Sequence, residues 1–388
     1  MDKRRNIQFA PHPPSGGRGA AQGVRIIISG GGTGGHIFPA IAIANALKKL
    51  QSDVEILFVG ALGKMEMEKV PAAGYEIIGL NIAGLNRSNM LKNLGFPFKL
   101  IGSLLKSLKI IKDFKPNVVV GVGGFASGPV MYAASSVGIP TVIQEQNSYA
   151  GITNKLLGSK AKKVCVAYDG MERFFPAKNI IRTGNPVRQD ILNLEGKRED
   201  GIKTFNLDSS KKTLLVIGGS LGARSINLAM KSHIEAFKHA DIQVVWQTGK
   251  LFIEEAKQAV ADANASNFFV SDFIYTMDQA YAVADVVLSR AGASSISELC
   301  IVGKPSVLVP FPFAAEDHQT KNAQALVDVD AAILVPDNEA GTRACEEALK
   351  LLSDEAKQAK FSTNIKKLAL PNADEDIAKE ILKLAKAA

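Results

Sequence analysis

Short apolar runs alternate with helical patterns along most of the chain. The first group of runs is rich in Val and Ile and comprises residues 24–28, 54–60, 117–122, 140–145 and 163–168. Helical patterns separate several of these runs, and the first predicted helix covers residues 39–50. Near-continuous apolar runs that are spaced by helices indicate a parallel sheet covered on both faces.

A polar and charged interval, residues 193–212, interrupts this alternation. The pattern then restarts in a second group of runs at residues 213–219, 242–248, 267–273, 284–290, 305–311 and 331–335. The sequence therefore predicts an α/β protein with two halves that are joined near residues 186–212. We predict a flexible N-terminal extension over residues 1–23, a first domain over 24–187, a second domain over 188–371 and a C-terminal helix over 372–388 that returns to the first domain.

Composition narrows the possible partners. With 388 residues, 46% hydrophobic, the chain is long enough for two globular domains. The net charge of +8 favours anionic partners such as phosphates, nucleotides or an acidic membrane surface. No zinc-finger spacing, basic-helix heptad or aromatic RNA-binding pattern accompanies this charge, so we expect no nucleic acid.

The cysteines and the N-terminus predict a cytosolic protein. Cys165, Cys300 and Cys345 are odd in number and far apart, which argues for a reducing compartment and against a disulfide framework or a zinc site. Residues 1–23 lack the apolar centre of a signal peptide. No apolar run approaches the ~20 residues that a membrane-spanning helix needs.

Three glycine-rich loops follow predicted strands. Gly30, Gly32 and Gly35 precede a helix in the spacing of a dinucleotide-binding turn, but the second strand ends in "LFVGALGKM" without the acidic residue that binds a ribose. Further loops, 123–129 and 218–224, follow strands in both halves. One such loop alone fits a tight strand-to-helix turn. Three of them at the carboxyl ends of strands predict a ligand cleft between the halves.

Seven motifs in order make the chain similar to a known family. The segments "GGTGGHIFPA", "GVGGFASGP", "QEQNSYAGITNK", "GNPVR", "GGSLGARSIN", "SRAGASSISEL" and "EDHQTKNA" resemble the MurG family, the bacterial N-acetylglucosaminyltransferases of glycosyltransferase family 28. The resemblance runs from residue 24 to the C-terminus. It implies a GT-B fold, in which two Rossmann-like domains with parallel sheets face each other across a cleft.

The resemblance also implies a reaction. It is the inverting transfer of GlcNAc from UDP-GlcNAc to the C4 hydroxyl of MurNAc in undecaprenyl-pyrophosphoryl-MurNAc-pentapeptide (lipid I), which yields lipid II for peptidoglycan. No cofactor and no metal are implied. The implied location is the cytoplasmic face of the inner membrane, as a peripheral protein, with cell-wall synthesis proteins as further partners.

Donor binding is expected at loops of both halves. A helix N-terminus with free amides suits the diphosphate of the donor, and Ser220 adds a hydroxyl there. Arg188 is expected to reach the phosphates or else to be a solvated linker charge. Glu298 is expected to accept both ribose hydroxyls, or to be a favourable charge near a helix N-terminus. The expected donor-binding residues are Thr33, Gly34, Gly35, Asn147, Arg188, Ser220, Leu221, Ile274, Met277, Ala293, Ser294, Glu298 and Gln319.

By resemblance, backbone groups near Phe273 and Ile274 recognise uracil. The amides of Gln319 and Asn322 are suited to the hydroxyls of GlcNAc, and the family uses their segment for that sugar.

Acceptor binding and proton transfer are expected at the first half. The expected acceptor-binding residues are Gly32, His36, Phe125 and Asn147. His36 and Glu145 are the catalytic candidates: His36 can deprotonate the acceptor hydroxyl or only hydrogen-bond it, and a helix N-terminus disfavours its protonated form. Glu145 follows a strand and is expected to expose its carboxylate to the cleft. The family usually has His at Gln144 and often Gly-Ile at 148–149, and some relatives have Tyr at Phe125.

A basic and apolar segment predicts membrane contact. Residues 85–116 carry one acidic residue, Asp113, against seven basic ones. We predict that residues 85–98 form an exposed patch for anionic headgroups, where each basic residue contributes ~1 kcal/mol. Residues 100–111 are expected to pack a helix on the sheet with its lysines outward.

Two other classes of protein remain open at the sequence level. A related UDP-sugar-dependent glycolipid synthase would share the fold and act on diacylglycerol. A non-catalytic nucleotide-binding protein or an NAD oxidoreductase would use similar glycine loops. The missing acidic residue at the end of the second strand weakens the interpretation as an NAD oxidoreductase.

Overall fold

The computed structural model describes residues 23–82, 84, 95–219 and 221–387. Within them the chain forms two parallel sheets. The strands of the first sheet are β1 (Arg25–Ser29), β2 (Glu55–Ala61), β3 (Glu76–Leu80), β4 (Val118–Gly121), β5 (Thr141–Glu145), β6 (Lys163–Val166) and β7 (Ile180–Arg182). Those of the second sheet are β8 (Thr213–Ile217), β9 (Gln243–Gln247), β10 (Phe268–Ser271), β11 (Val286–Ser289), β12 (Ser306–Leu308) and β13 (Ala332–Leu334).

Both sheets have the strand order of a doubly wound fold. The first runs β3-β2-β1-β4-β5-β6-β7, and the second runs β10-β9-β8-β11-β12-β13. In each sheet the order reverses beside the first strand of its half, which is where loops separate and leave a crevice for a ligand. The first and second glycine loops follow β1 and β4, which are neighbours, and the third follows β8.

Helices cover both faces of each sheet. In the first half they are α1 (Gly34–Leu50), α2 (Glu66–Ala72), α3 (Phe96–Phe114), α4 (Ser127–Ser136) and α5 (Ile152–Gly158). In the second half they are α6 (Lys197–Thr204), α7 (Arg224–Ser232), α8 (Ile234–His239), α9 (Ile253–Asp262), α10 (Met277–Val283), α11 (Ala293–Val302), α12 (His318–Val327), α13 (Cys345–Ser353) and α14 (Glu355–Lys366). The last helix of the chain is α15 (Ala373–Ala387).

The continuous apolar runs are explained by burial on both faces of the sheets. In β1, Ile26 and Ile28 belong to one core cluster, whereas Ile27 between them belongs to another cluster on the opposite face. In β8, Leu214 and Leu215 are divided in the same way between two clusters. Successive side chains of a strand point to opposite faces, so both sets of positions must be apolar.

The first helix begins earlier than the sequence pattern predicts. The expected start at Pro39 is wrong, because α1 begins at Gly34 and contains Pro39. Proline has no N–H, so the carbonyl of Gly35, four residues earlier, lacks its usual helical partner. The first turn of α1, with its free amides, therefore belongs to the glycine loop.

Helix α3 keeps its lysines exposed and packs on the first half through Ile110 and Ile111, as expected for residues 100–111, but it also exposes an apolar stripe. Phe98, Ile101 and Leu105 are 79%, 56% and 64% exposed. Lys106 is exposed as well, and its ammonium group donates to the carbonyl of Gly79 at 2.7 Å. Of the predicted membrane patch 85–98, residues 85–94 lie outside the described part of the chain.

The last helix packs against the first half. Ile377 and Ile381 of α15 share a buried cluster with Ile43 and Leu47 of α1. The chain thus passes between the halves near residue 184 and again near residue 370. Gly184 has φ +87°, and a Cβ there would lie 2.6 Å from the Cβ of Leu370, so the two passages are in contact. The domain limits at 187 and 371 stay predictions.

Within the described residues, no helix is both long and apolar enough to cross a bilayer.

Candidate active site

The first two glycine loops fit into each other. The amide of Gly31 donates to the carbonyl of Gly123 at 3.3 Å. A Cβ at Gly124, which has φ +88°, would lie 2.2 Å from the carbonyl oxygen of Gly31. These glycines are therefore needed for contact between loops. Gly32 differs, because it has φ +85° and no atom within 4 Å of a Cβ position, so its surroundings are open to a ligand.

Glu66, which the sequence pattern did not single out, hydrogen-bonds the first glycine loop. Its carboxylate is 1% exposed and accepts from the amides of Gly32 at 2.9 Å and Ala61 at 3.0 Å. Glu66 comes five residues after β2, beyond the strand end where an acidic ligand of a ribose is expected. Because both oxygens accept from backbone amides, this carboxylate is not available to a ribose. The first glycine loop therefore lacks the acidic ribose ligand that an NAD site needs.

His36 lies where the two loops meet. Its Nδ1 is 3.1 Å from the carbonyl oxygen of Gly31 and 3.2 Å from the hydroxyl of Thr33. A carbonyl only accepts, so this contact assigns the hydrogen to Nδ1 and leaves Nε2, above Gly123, as an acceptor. Loss of solvation lowers the pKa of His36 and outweighs the bond to Gly31, which raises it; the weaker effects of His318, which lowers the pKa, and of Glu66, which raises it, oppose each other. The ring is thus neutral at pH 7, with Nε2 able to take a proton.

Glu145 does not expose its carboxylate, contrary to the sequence-based expectation. It is 1% exposed, and its oxygens accept from the amides of Asn147 and Gly151, both at 3.0 Å, and from the side chain of Asn154 at 2.9 Å. Burial raises the pKa of Glu145, although these donors oppose the rise. This geometry favours a role in holding the loop at residues 145–154 over a role in proton transfer.

Asn147 and Ser148 form hydrogen bonds between the two halves. Asn322, fully buried in α12, donates to the side-chain oxygen of Asn147 at 3.1 Å and accepts from the amide of Ser148 at 2.9 Å. Asn322 was expected to bind sugar hydroxyls. The side-chain amide of Asn322 is instead bonded to residues 147 and 148 in the loop of the first half, so Asn322 positions that loop.

The third glycine loop opens α7. Ser220, the expected hydroxyl donor, lies outside the described residues, whereas Leu221 beside it is exposed. A Cβ at Gly222, which has φ +78°, would lie 2.0 Å from the carbonyl oxygen of Thr248. Arg290 donates to the hydroxyl of Ser225 at 2.9 Å and also pairs with Asp337, which fixes the first turn of α7 against the end of β11.

Arg188 and Glu298, expected to bind different parts of the donor, are bonded to each other. Nε of Arg188 donates to Oε1 of Glu298 at 3.0 Å, and the hydroxyl of Tyr281 donates to Oε2 at 2.9 Å. Arg188 is therefore not a solvated linker charge. Glu298 lies in the second turn of α11, not in its first, and burial raises its pKa while Arg188 opposes this.

The expected donor residues Thr33, Gly34 and Gly35 lie at the start of α1 in the first half, whereas the other remaining ones lie at the carboxyl edge of the second sheet. Ala293 and Ser294 begin α11, and Met277 begins α10 with its side chain in the core. The amide of Ile274 donates to Gln247 at 2.9 Å and is not free for uracil. Gln319, in the first turn of α12, accepts from the amide of Phe311 at 3.0 Å.

On the first half, Phe125 is half exposed, and its ring lies against Gly84. Among the described residues, no group of three or more His, Cys, Asp or Glu side chains is placed to hold a metal ion.

Several solved structures share this fold. A glycotransferase of kitacinnamycin is 14% identical with a TM-score of 0.68, and the two chains are covered to 94% and 100%. A calicheamicin glycosyltransferase is 14% identical with a TM-score of 0.69. At this identity the likeness concerns the fold alone. The predicted α/β class, a GT-B fold with two Rossmann-like domains, is confirmed.

Closer matches define the family. Residues 26–166 match the glycosyltransferase family 28 N-terminal domain, and residues 213–381 match its C-terminal domain. The crystal structure of MurG from Acinetobacter baumannii is 30% identical with a TM-score of 0.76, and the chains are covered to 93% and 99%. The chain therefore belongs to glycosyltransferase family 28, and within it to the MurG family that its motifs resemble.

Curated relatives carry a specific name. A protein of Bacteroides fragilis is 54% identical over 369 residues, which is 95% of this chain and 97% of the relative. One of Bacteroides thetaiotaomicron is 56% identical over 366 residues. Both are named UDP-N-acetylglucosamine–N-acetylmuramyl-(pentapeptide) pyrophosphoryl-undecaprenol N-acetylglucosamine transferase.

Proposed function

We propose that the chain transfers GlcNAc from UDP-GlcNAc to the C4 hydroxyl of MurNAc in undecaprenyl-pyrophosphoryl-MurNAc-pentapeptide, with inversion at the anomeric carbon. The observation that carries this proposal is the 54% identity, over nearly the whole chain, to relatives named for that reaction. The contact between the halves supports it, because the loop after β5 of the first half meets α12 of the second half at the hydrogen bond between Asn147 and Asn322.

The second half is proposed to bind the donor. As the glycosidic bond breaks, negative charge develops on the UDP leaving group. The N-termini of α7 and α11 present free amides of the kind that stabilise such a charge. Arg188 adds a cation next to Glu298. We propose that the ribose hydroxyls take over the carboxylate of Glu298, which frees Arg188 for the phosphates.

The first half is proposed to bind the acceptor and to remove its proton. Nε2 of His36 accepts the proton of the C4 hydroxyl, and the oxygen then attacks the anomeric carbon from the side opposite to UDP. The hydrogen bond from Nδ1 to Gly31 keeps the ring in the required tautomer. Glu145 holds the loop that carries Asn147, so it acts through that loop.

A transfer assay tests the proposed reaction. The full chain is incubated with radiolabelled UDP-GlcNAc and a short-chain lipid I analogue, with UDP-glucose and diacylglycerol as competitors. Label is expected in the muramyl lipid only. Label in diacylglycerol would instead assign the chain as a glycolipid synthase, and UDP binding without any transfer would identify a nucleotide-binding protein.

We also propose that α3 contacts an anionic membrane surface. Its exposed stripe of Phe98, Ile101, Leu105 and Leu108 recurs every three or four residues and therefore lies on one face of the helix. Lys99 and Lys109 are exposed near the stripe. An apolar stripe that penetrates the headgroups beside lysines that attract anionic lipids fits a peripheral protein with a lipid-linked acceptor. We propose the cytoplasmic face of the inner membrane, the location that the family resemblance implies, as the place of this contact.

A further inference from the structure

The segment before α12 has an unfavourable backbone conformation. Glu316 and Asp317, two consecutive residues other than glycine, have φ +53° and +55°. Residues with a Cβ rarely adopt this left-handed region, because the Cβ then crowds the following carbonyl oxygen. Such a turn persists only where neighbouring groups hold it. Gln319, which is expected to bind the donor, comes two residues after this turn, at the start of α12.

An ion pair from the opposite half holds the side chain of Glu316. Nζ of Lys155, in α5 of the first half, lies 3.1 Å from Oε2 of Glu316. The side chains of Lys155 and Glu316 are only 28% and 22% exposed. A partly buried pair of this kind is screened by salt much less than a pair on the surface. The first half thus supplies the cation that pairs with the carboxylate of the turn.

A second contact with the first half reaches the carbonyl of Glu316. The ammonium group of Lys321, in α12, donates to this carbonyl at 2.8 Å and lies 3.4 Å from the centroid of the Tyr149 ring. Tyr149 belongs to the loop after β5, and the ammonium group of Lys155 lies 4.6 Å from the centroid of the same ring. The face of an aromatic ring attracts a cation. Both the side chain and the carbonyl of Glu316 are therefore fixed through contacts with the first half.

We propose that Lys155 is a positioning residue for the sugar of the donor, and that the sugar site is complete only while the two halves are in contact. When the halves separate, Glu316 loses the ammonium group of Lys155, and Lys321 loses the ring of Tyr149. The left-handed turn then loses the groups that hold it, and its relaxation displaces Gln319. This inference rests on the transfer proposed above and adds a residue of the acceptor-binding half that controls donor affinity.

The turn acts on the sugar and not on the nucleotide. Oε1 of Gln319 accepts from the amide of Phe311 at 3.0 Å, so Gln319 offers a sugar hydroxyl its NH₂ group as a donor. The groups proposed above for the diphosphate and the ribose belong to α7, α11 and Arg188. Loss of the pair between Lys155 and Glu316 therefore weakens the hold on GlcNAc, while the UDP sites keep their geometry. GlcNAc is thus held firmly only when the acceptor-binding half is in place.

Calorimetric titration of the full chain with UDP-GlcNAc and, separately, with UDP tests this inference. The measured quantity is the ratio of the two dissociation constants. Lys155→Met and Glu316→Gln should each weaken UDP-GlcNAc binding about tenfold, because a hydrogen bond between charged groups is lost, and should change UDP binding less than about twofold. The double variant should bind UDP-GlcNAc no more weakly than either single variant, since both changes remove the same ion pair.

Lys162→Met is the matched control, because Lys162 is exposed on the first half between α5 and β6. Both dissociation constants should stay unchanged in this variant. An unchanged ratio in Lys155→Met, whether both affinities fall together or neither changes, would overturn the inference, because the pair would then only hold the halves together. Additive effects of the two single changes would overturn it as well. A wild-type chain that does not bind UDP-GlcNAc would instead overturn the proposed transfer, and this inference with it.

Discussion

His36 combines two features that a general base needs at neutral pH. Its Nδ1 is bonded to Gly31, and its pKa lies below the ordinary value of 6.5. We predict that His36→Gln lowers kcat about 10²–10⁴-fold, because a positioned base contributes that much. The measurement is turnover at saturating donor and acceptor. His239→Gln, at an exposed position of α8, is the matched control and should be fully active.

The pH profile gives a separate test of His36. A base must be unprotonated, and the lowered pKa means that protonation sets in only below pH 6.5. The wild-type kcat/KM, which reports the free protein, should therefore be flat across neutral pH and fall with a single acidic limb whose midpoint lies below 6.5. His36→Gln should lose this limb. An identical limb in the variant would assign the titration to another group.

Glu145→Gln separates a positioning residue from a base. The carboxylate accepts from backbone and side-chain donors on both oxygens, and one oxygen becomes an NH₂ group in the variant. A buried donor then loses its partner, which should lower the free energy of unfolding by about 1–3 kcal/mol. Urea denaturation measures this loss. As a positioning residue, Glu145 should affect KM more than kcat, whereas a fall of kcat alone by 10²-fold or more would identify it as the base.

Sequence patterns located these residues but not their partners. The glycine loops and the residues 145 and 298 stand out in the sequence, because residue types and spacing are local. That Glu66 bonds the first loop, or that Arg188 bonds Glu298, depends on contacts between residues 34 and 110 positions apart. Local spacing carries no information on such contacts.

At the scale of elements, the exposed stripe of α3 predicts membrane binding. Replacing Phe98 and Leu105 with Ser should weaken partitioning into vesicles that contain anionic lipids, because both side chains are exposed and leave the core intact when changed. Sedimentation with vesicles measures the partitioning. Leu251→Ser, at an exposed apolar position of the second half, is the control.

Turnover of a water-soluble acceptor should be unchanged in the α3 variant. Equal partitioning of the α3 variant and the wild type would contradict a role of this stripe at the membrane.

Strands that are buried along their whole length were predicted from the sequence, whereas short or partly exposed elements were not. The buried central strands, such as β1 and β8, were predicted from their apolar runs. The strands β3 and β7, at the edges of the first sheet, were not predicted. Both strands are partly exposed, and β7 has only three residues. The outward lysines of α3 were predicted, but its exposed apolar stripe was not, since the sequence pattern does not tell which of several apolar positions on a helix face the sheet.

At the scale of the whole molecule, the bonds of Asn322 couple the two halves. We predict that Asn147→Ala and Asn322→Ala are not additive, because each removes the same hydrogen bond of 3.1 Å across the interface. A double-mutant cycle on the KM for the donor should give a coupling energy of about 0.5–1.5 kcal/mol. Additive effects would show that this bond does not link the halves during binding.

The return of α15 to the first half has a consequence for synthesis and for truncation. The ribosome completes the strands of the first half long before it makes α15, which is made only after the whole second half. Until then, the apolar surface of α1 that Ile377 and Ile381 cover is left bare. Deleting residues 373–387 should therefore destabilise the first half, which loses the helix that covers α1. The second half should keep its core, although the deleted segment follows it directly in the chain.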